Sequence, residues 1–570
     1  MRKFYLTHCK YLYIDFGIVP ISDNGLLNLS LSSVQMQNPI LLRQDVHTLY
    51  ERIFESEEAT EEESPTKHDL FRTFIILALG SIHPHRRGDH QCHPFGYYLS
   101  AMRNFDRFVV RDGLNPIQDL LLLTRFGIYY HIGTSVWAMV RLCVRMCVEQ
   151  SLHKRQELPC NESLIQEQMR RRVFWICYMM DRYSSITLNR PFAISDSDID
   201  VGPAADADDQ QLSMAEQSVH NLDEFCSQQT ALVATEMSAF LAAVRLRQVS
   251  SRIHRYFADT LNSQTSARTG QDQLFLATGH IHVALQKFLV ELETWRASAP
   301  VYESPTCLFE RAEWYDLLQA REAFNLLRRA LDVAPKRDGA PSCSLLTQCQ
   351  ESAVRVIALY SDMYRRSVAT YTRSYFQMMF TAGLSLLYCG SVLSRMESSS
   401  VEQCSRALEQ CRTTLTNMTV DLPDARHYVA VFDALYRHIS QNLNQVLQRS
   451  GQSQQETALR PLLNSETPAS TANITYSDPM TSETEIGTQN GGFHFSYNEA
   501  QYPQDGVDSM FPMSIPSIIG DGQNYFATEG QSVMNSDIWN WDILNDEALW
   551  NVGQYVVGDP AADFGIYDPT

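Results

Sequence analysis

Met169 to Pro203 has the sequence MRRRVFWICYMMDRYSSITLNRPFAISDSDIDVGP, the most informative stretch of the chain. Met169, Val173, Ile176, Cys177 and Met180 recur at three- and four-residue spacing and share one helical face, which Trp175 and Met179 broaden. A helix with so wide an apolar face packs deep in a core. Arg170, Arg171, Arg172 and Arg182 sit at its ends and flank. The helix must stop at Asn189-Arg190-Pro191, because asparagine tolerates the left-handed conformation of a C-terminal cap and proline forbids helical continuation. A chain reversal follows, with Asp196, Asp198 and Asp200 in a polar loop.

The same periodicity extends in both directions. Upstream, helices are expected at Leu41–Phe54, Leu70–Leu79, Pro94–Val110, Pro116–Ile132 and Ser135–Gln150, followed by the signature helix, Leu164–Leu188. After an Asp- and Ala-rich loop at Pro203 to Asp209 they are expected at Leu212–Phe257, Asp272–Ala297, Cys307–Val333, Cys343–Ser367, Arg373–Met396, Val401–Met418 and Arg426–Arg449. No alternating pattern intrudes, so the fold class is all-α: a large multi-helix domain over residues 41–450, after an unassigned segment at 1–40. Beyond Ser450 the chain turns to Gln, Ser, Thr, Asn, Gly and Pro and the periodicity is lost; residues 451–536 are expected to be a disordered polar linker.

Charge separates the same two parts. The 570 residues carry a net −20, yet residues 451–570 hold 17 acidic residues against Arg460 alone, a charge of −16, which leaves −4 for residues 1–450. A nearly neutral body without a basic stripe lacks the electrostatic footprint of a phosphate-backbone binder. The 13 cysteines are scattered singly, several inside apolar runs (Cys143, Cys147, Cys177, Cys389), as expected of buried thiols in a reducing compartment; no pair is spaced C-x2-C. The apolar stretch after Arg2 and Lys3 is broken by His8, Lys10 and Asp15, so no secretory signal is expected. Ser374 to Ser394 is uncharged over a bilayer's length, but its Gly, Ser, Thr and Gln content points to a buried core helix rather than a membrane span. His83, His85, His90, Cys92 and His93 are expected on a surface loop, with a metal site as the alternative. Phosphate-binding glycine loops, H-E-x-x-H and G-x-S-x-G are absent, so the chain is not expected to be an enzyme.

The stretch from Arg171 to Pro203 resembles the signature of the fungal-specific transcription factor domain, the middle homology region of the zinc-cluster (Zn2Cys6) regulators. Its R-R-x-F-W, D-R, G-R-P, D-I-D and Pro correspond to Arg171-Arg172-Val173-Phe174-Trp175, Asp181-Arg182, Asn189-Arg190-Pro191, Asp198-Ile199-Asp200 and Pro203. Asn189 stands where the family prefers Gly. Upstream, WAMVRLCVRMCVEQSLH (Trp137 to His153) is similar to the family's W-x3-G-x-A-x-R-x-A ending in G-L-H: Trp137, Arg145, Leu152 and His153 fit, while Arg141, Cys143, Cys147 and Ser151 replace small residues. The resemblance covers roughly residues 40–450. It implies a nuclear transcriptional regulator whose helical domain responds to a small-molecule effector or a partner. It also implies promoter binding through an N-terminal zinc cluster, C-x2-C-x6-C and its second half, which this sequence does not contain. Zinc is therefore expected only with such a cluster, no cofactor is expected in this chain, and DNA is otherwise reached through a partner. The alternative is a co-regulator or inhibitory interaction protein that does not bind DNA. The Arg and Asp residues of the signature are expected either in buried ion pairs and caps or in direct contact with effector or partner.

Ser536 to Trp550 interleaves carboxylates with large apolar residues. The acids keep Trp539, Trp541, Leu544, Leu549 and Trp550 solvated and free to anchor in a coactivator groove, so residues 537–570 are a candidate activation segment; docking back onto the body is the other reading.

Overall fold

In a computed structural model, helix follows helix, and the order is set by where each apolar stripe finds its partner. The structure describes residues 25–437, apart from 27–34, 56–64, 106–112, 156–161, 229–232, 267–270, 337–340, 367–371, 393–397 and 423–424 and the single positions 189, 217, 220 and 421. The expected linker and activation segment, with Trp539, Trp541, Leu544, Leu549 and Trp550, lie outside the described residues. Among the described residues the fold is all-α, without a strand.

The first half comprises α1 (Arg43–Tyr50, continued by a π turn at Glu51–Glu55), α2 (Lys67–Arg87), α3 (Pro94–Asn104), α4 (Leu114–Gly127), α5 (Val136–Glu149) and α6 (Leu164–Thr187). The chain then runs through α7 (Asp209–Ala215) and α8 (Leu222–Gln228) into the long α9 (Ser238–Ser266). The second half comprises α10 (Gln271–Ala297), α11 (Ala312–Val333), α12 (Cys343–Arg365), α13 (Arg373–Val392), α14 (Ser398–Met418) and a last helix, α15, over residues 426–437.

Two large hydrophobic cores and a small cluster around Leu212 and Leu222 form among the described residues, and α9 belongs to both large cores. Phe240, Leu241 and Val244 join the core built by α2 to α6, whereas Ala242, Leu246, Val249, Ile253 and Phe257, spaced by three and four, join the core of α10 to α15. A helix with apolar residues on two faces is thus the wall between the halves. The body also reaches back before Leu41: Leu26, Met36 and Ile40 are buried, and the Gln118 amide donates to the Ile40 carbonyl at 2.7 Å.

Several helix ends differ from the sequence expectation, each for a local reason. α2 runs on past Leu79 to Arg87 with Pro84 inside it; the helix forgoes one hydrogen bond, buries Ile82 and Pro84, and closes on Gly88 at φ +81°. Its start is fixed by a reciprocal cap between Thr66 and Asp69. α3 ends at Asn104, six residues short of Val110, because Phe105 turns extended. The helix expected over Leu212–Phe257 is three helices. Asp206 accepts from the Thr235 and Ser238 hydroxyls at 2.6 and 2.7 Å, and Asp208 accepts from the Glu236 amide at 2.9 Å, so the Asp-rich segment caps a fresh start for α9. No helix among the described residues is long and apolar enough to cross a membrane.

Candidate functional site

The signature residues converge on the reversal that follows α6. Arg182, fully buried, donates to the Asp181 carboxylate at 2.7 Å, to Asp196 at 2.8 Å, to the Ile194 carbonyl at 2.9 Å and to the Ser251 hydroxyl at 3.3 Å. Its guanidinium also lies 4.1 and 4.3 Å from the ring centres of Tyr178 and Phe192. Asp181, equally buried, accepts both this charge and the Ala193 amide at 3.1 Å, and burial holds its carboxyl above the ordinary aspartate range against the pull of Arg182. Asp196 takes the Tyr178 hydroxyl at 2.9 Å, the Ser251 hydroxyl at 2.7 Å and Arg255 at 2.9 Å. Burial pushes Asp196 up, but hydrogen bonds from Ser251 and the charge of Arg182 outweigh it and hold the carboxyl below its ordinary range. Arg182 thereby ties α6, the loop and α9 together.

The other signature residues occupy a second belt. Arg171 pairs with Glu167 at 2.6 Å and Asp223 at 2.7 Å and donates to the Pro203 carbonyl, while Arg172 pairs with Asp209 at 2.5 Å. The Trp175 indole donates to the Gly202 carbonyl at 2.8 Å, and Phe174 is buried at an edge-to-face angle to it. A Cβ on Gly202 would stand 2.8 Å from Arg171 Nη1, so glycine is what lets the chain lie on that guanidinium. Arg190 lies 4.4 Å over the Trp137 ring, and the Pro191 carbonyl accepts from Ser185 and Arg141. Asn189 lies outside the described residues; the Arg190 amide closes the helix end on the Ser185 carbonyl at 2.8 Å. Asp198 and Asp200 depart from the expected ion-pair set: both are exposed, and Asp200 enters through its backbone, its amide donating to the His153 carbonyl at 2.9 Å. The loop carboxylate that joins Asp181 in the network is Asp196, two residues before the D-I-D stretch. Ser151 has φ +56°, which supplies the reason a glycine suits that position of the second resemblance.

The histidine cluster lies only in part on the expected surface loop, the connection between α2 and α3 that carries His90, Cys92 and His93. His83 and His85 belong to α2, His90 is buried, and His93 caps α3 and meets the rings of His85 and Tyr130 at 4.8 and 5.3 Å. Among the described residues no group of three His, Cys, Asp or Glu is placed to hold a metal ion.

A cavity of about 530 Å³ lies where the two cores meet, walled by α2, the end of α4, α6, α9, α11 and the segment at 306–311. Six arginines (Arg87, Arg125, Arg247, Arg311, Arg321 and Arg366) line it, and no Asp or Glu does among the described residues. Its apolar wall includes Leu79, Ile82, Met179, Met180, Leu246, Trp314 and Leu318. Such a volume, mostly apolar with a few convergent charges, has the character of a small-molecule site. None of the signature arginines or aspartates lines it; α6 gives it Met179, Met180 and Tyr183 from a different face. The lining arginines are not among the residues expected from sequence; their only local signal is an arginine set among apolar neighbours, as in LLLLTRFG around Arg125 and LLQAREAF around Arg321.

His254, packed 5.0 Å from the Phe192 ring, stands behind the Arg182 network. Burial, then the charges of Arg329 and Arg182, lower its pKa to about 4. Because the unfolded chain takes up this proton near pH 6.5 and the folded one resists it to about pH 4, the His254 contribution is full above pH 6.5 and lost on acidification to pH 4. His254→Gln should remove on the order of 2–3 kcal/mol of the acid-induced stability loss between those limits, read by urea denaturation of both proteins across pH 4–7.

Residues 28–297 match the fungal specific transcription factor domain, a span that ends with α10. The chain is 22% identical over 399 residues to an uncharacterized transcriptional regulatory protein of Saccharomyces cerevisiae, covering 64% of this chain and 27% of that protein. It is 22% identical over 452 residues to the positive regulator of purine utilization of Emericella nidulans, covering 64% and 41%. It is 29% identical over 141 residues to the negative regulator of pleiotropic drug resistance STB5 of Candida glabrata, covering 23% and 14%. The chain thus spans less than half the length of these relatives. No solved structure matches it.

Proposed function

We propose, from the match of residues 28–297 to the fungal specific transcription factor domain, that the protein is a nuclear transcriptional regulator of the zinc-cluster type. Its helical body responds to a small-molecule effector held in the cavity where the two cores meet, and its acidic tail recruits coactivator. The observation that carries the reading is the domain match; the cavity, placed where α6 and α9 join the two cores, supports the effector role, since an occupant would touch both halves. The relatives include a positive and a negative regulator, and the acidic-aromatic segment around Trp539, Trp541 and Trp550 favours activation here.

A second reading, a co-regulator that reaches promoters only through a partner, is favoured by the near-neutral charge of residues 1–450. Promoter DNA is read directly only with a zinc cluster.

Residues 451–570 fused to an unrelated DNA-binding domain should activate a reporter at least tenfold, and replacing Trp539, Trp541 and Trp550 by Ala should return it to background. A silent wild-type fusion would remove the tail from this reading. Promoter binding by the purified chain alone would count against the co-regulator.

A further inference from the structure

Six arginines and, among the described residues, no acid line the cavity, and a charge that is buried persists only where something compensates it. Three of them are compensated: Arg247 pairs with Glu322 at 2.8 Å, a carboxylate that also accepts from Ser250, Arg87 pairs with Asp89 at 3.1 Å, and Arg366 pairs with Asp362 at 2.9 Å and Glu313 at 3.6 Å. Arg125 and Arg321, each 8% exposed, have no carboxylate within ion-pair reach among the described residues. Arg125 donates to the Gln37 side-chain oxygen at 3.0 Å and leaves its Nε without a hydrogen-bond partner; Arg321 donates to the Ser374 hydroxyl at 3.2 Å. Aromatic faces supply the rest: Tyr129 lies 5.6 Å from Arg125, and Tyr183 lies 5.6 Å from Arg321. Both guanidiniums also act on the Tyr375 phenol, which lines the same cavity. Two forked, planar donors with unused capacity are the groups that hold carboxylate or phosphate. The volume of about 530 Å³ and the apolar wall leave most of the space to something other than a bare ion.

We infer that the cavity binds an organic anion, its carboxylate or phosphate taken by Arg125 and Arg321 and its apolar body lying against Met179, Met180 and Leu246. This rests on reading the cavity as the effector site, and it adds the ligand's chemical class.

The test is thermal denaturation of the full chain at constant ionic strength with inorganic phosphate, citrate, phenyl phosphate and 1-naphthoate, and with 1-naphthamide as the uncharged match of naphthoate. Phenyl phosphate or naphthoate should raise the midpoint more than inorganic phosphate or the amide does. The Arg125→Met/Arg321→Met double variant should lose that increment, equivalent to at least tenfold weaker binding. Equal increments in wild type and double variant for every probe, zero included, would overturn the anion site; equal increments from inorganic and phenyl phosphate would overturn its organic part. Should the double variant lose its helical circular dichroism, the Arg125→Lys/Arg321→Lys pair, which keeps the charge but not the fork, gives the same readout. A reporter driven by the full-length regulator separates the two claims. Anion binding without a transcriptional response leaves the anion site and removes the effector role; a response to an uncharged compound alone leaves the effector role and removes the anion.

Discussion

Arg182→Ala should destabilise the protein by about 3–5 kcal/mol, the range for removing one member of a buried ion pair. The substitution strands Asp181, which is fully buried and has no other cation in its ion-pair set among the described residues. It also leaves the Ile194 carbonyl without this donor, deprives Asp196 of one of its two guanidinium partners, and empties the space between Tyr178 and Phe192. Arg182→Lys should recover only a minor part, because one ammonium cannot serve two carboxylates, a carbonyl and a hydroxyl at once. The paired change Asp181→Asn with Arg182→Met removes both charges and should cost less than Arg182→Ala alone, so the coupling has the opposite sign to the single losses. Urea midpoints of the four proteins measure this. A loss below about 1 kcal/mol for Arg182→Ala would show that the network is dispensable.

Gly383→Ala should destabilise by about 1–3 kcal/mol, although alanine gains up to about 1 kcal/mol over glycine within a helix. The balance is decided by packing. A Cβ at position 383 of α13 would lie 2.6 Å from Phe432 Cε2, 2.8 Å from Cys411 Sγ and 2.9 Å from Phe432 Cζ, and both neighbours are fully buried. The Cys411 thiol is held in turn against the Met379 carbonyl at 3.2 Å, so it cannot retreat freely. Phe432→Leu in the Gly383→Ala background should restore part of the loss, since it removes the ring edge that the methyl meets. A midpoint for Gly383→Ala above that of wild type would mean that α15 does not press on α13 as described.

Gly383, one of the small residues in the uncharged stretch Ser374 to Ser394, therefore has a packing purpose, and the cysteines show a parallel relation. Cys143, Cys147, Cys177 and Cys389 are all buried as free thiols, as their place in apolar runs implied, and the Cys147 and Cys177 sulfurs approach to 3.6 Å. Burial pushes the Cys177 thiol well above its ordinary range, which suits a packing thiol rather than a nucleophile.

Features that repeat along a single stretch of chain are legible without the tertiary structure. The apolar faces of α5, α6, α12 and α14, the end of α6 near Pro191 and the burial of Trp175 follow from spacing and from the conformational limits of proline. The choice of Asp196 over Asp198 and Asp200 as the partner of Arg182 did not follow, because three acids at alternate positions in one loop differ only in which of them faces α9, and that depends on Ser251 and Arg255. The break between α7 and α9 was likewise hidden: helical periodicity continues through it, and the caps that interrupt it come from Asp206 and Asp208, about 30 residues upstream. The cavity belongs wholly to the tertiary structure. Arg125, Arg247 and Arg321 lie on three different helices, and their charges share one volume only because the two cores meet along α9, so their common function is a property of helix packing and not of any local pattern.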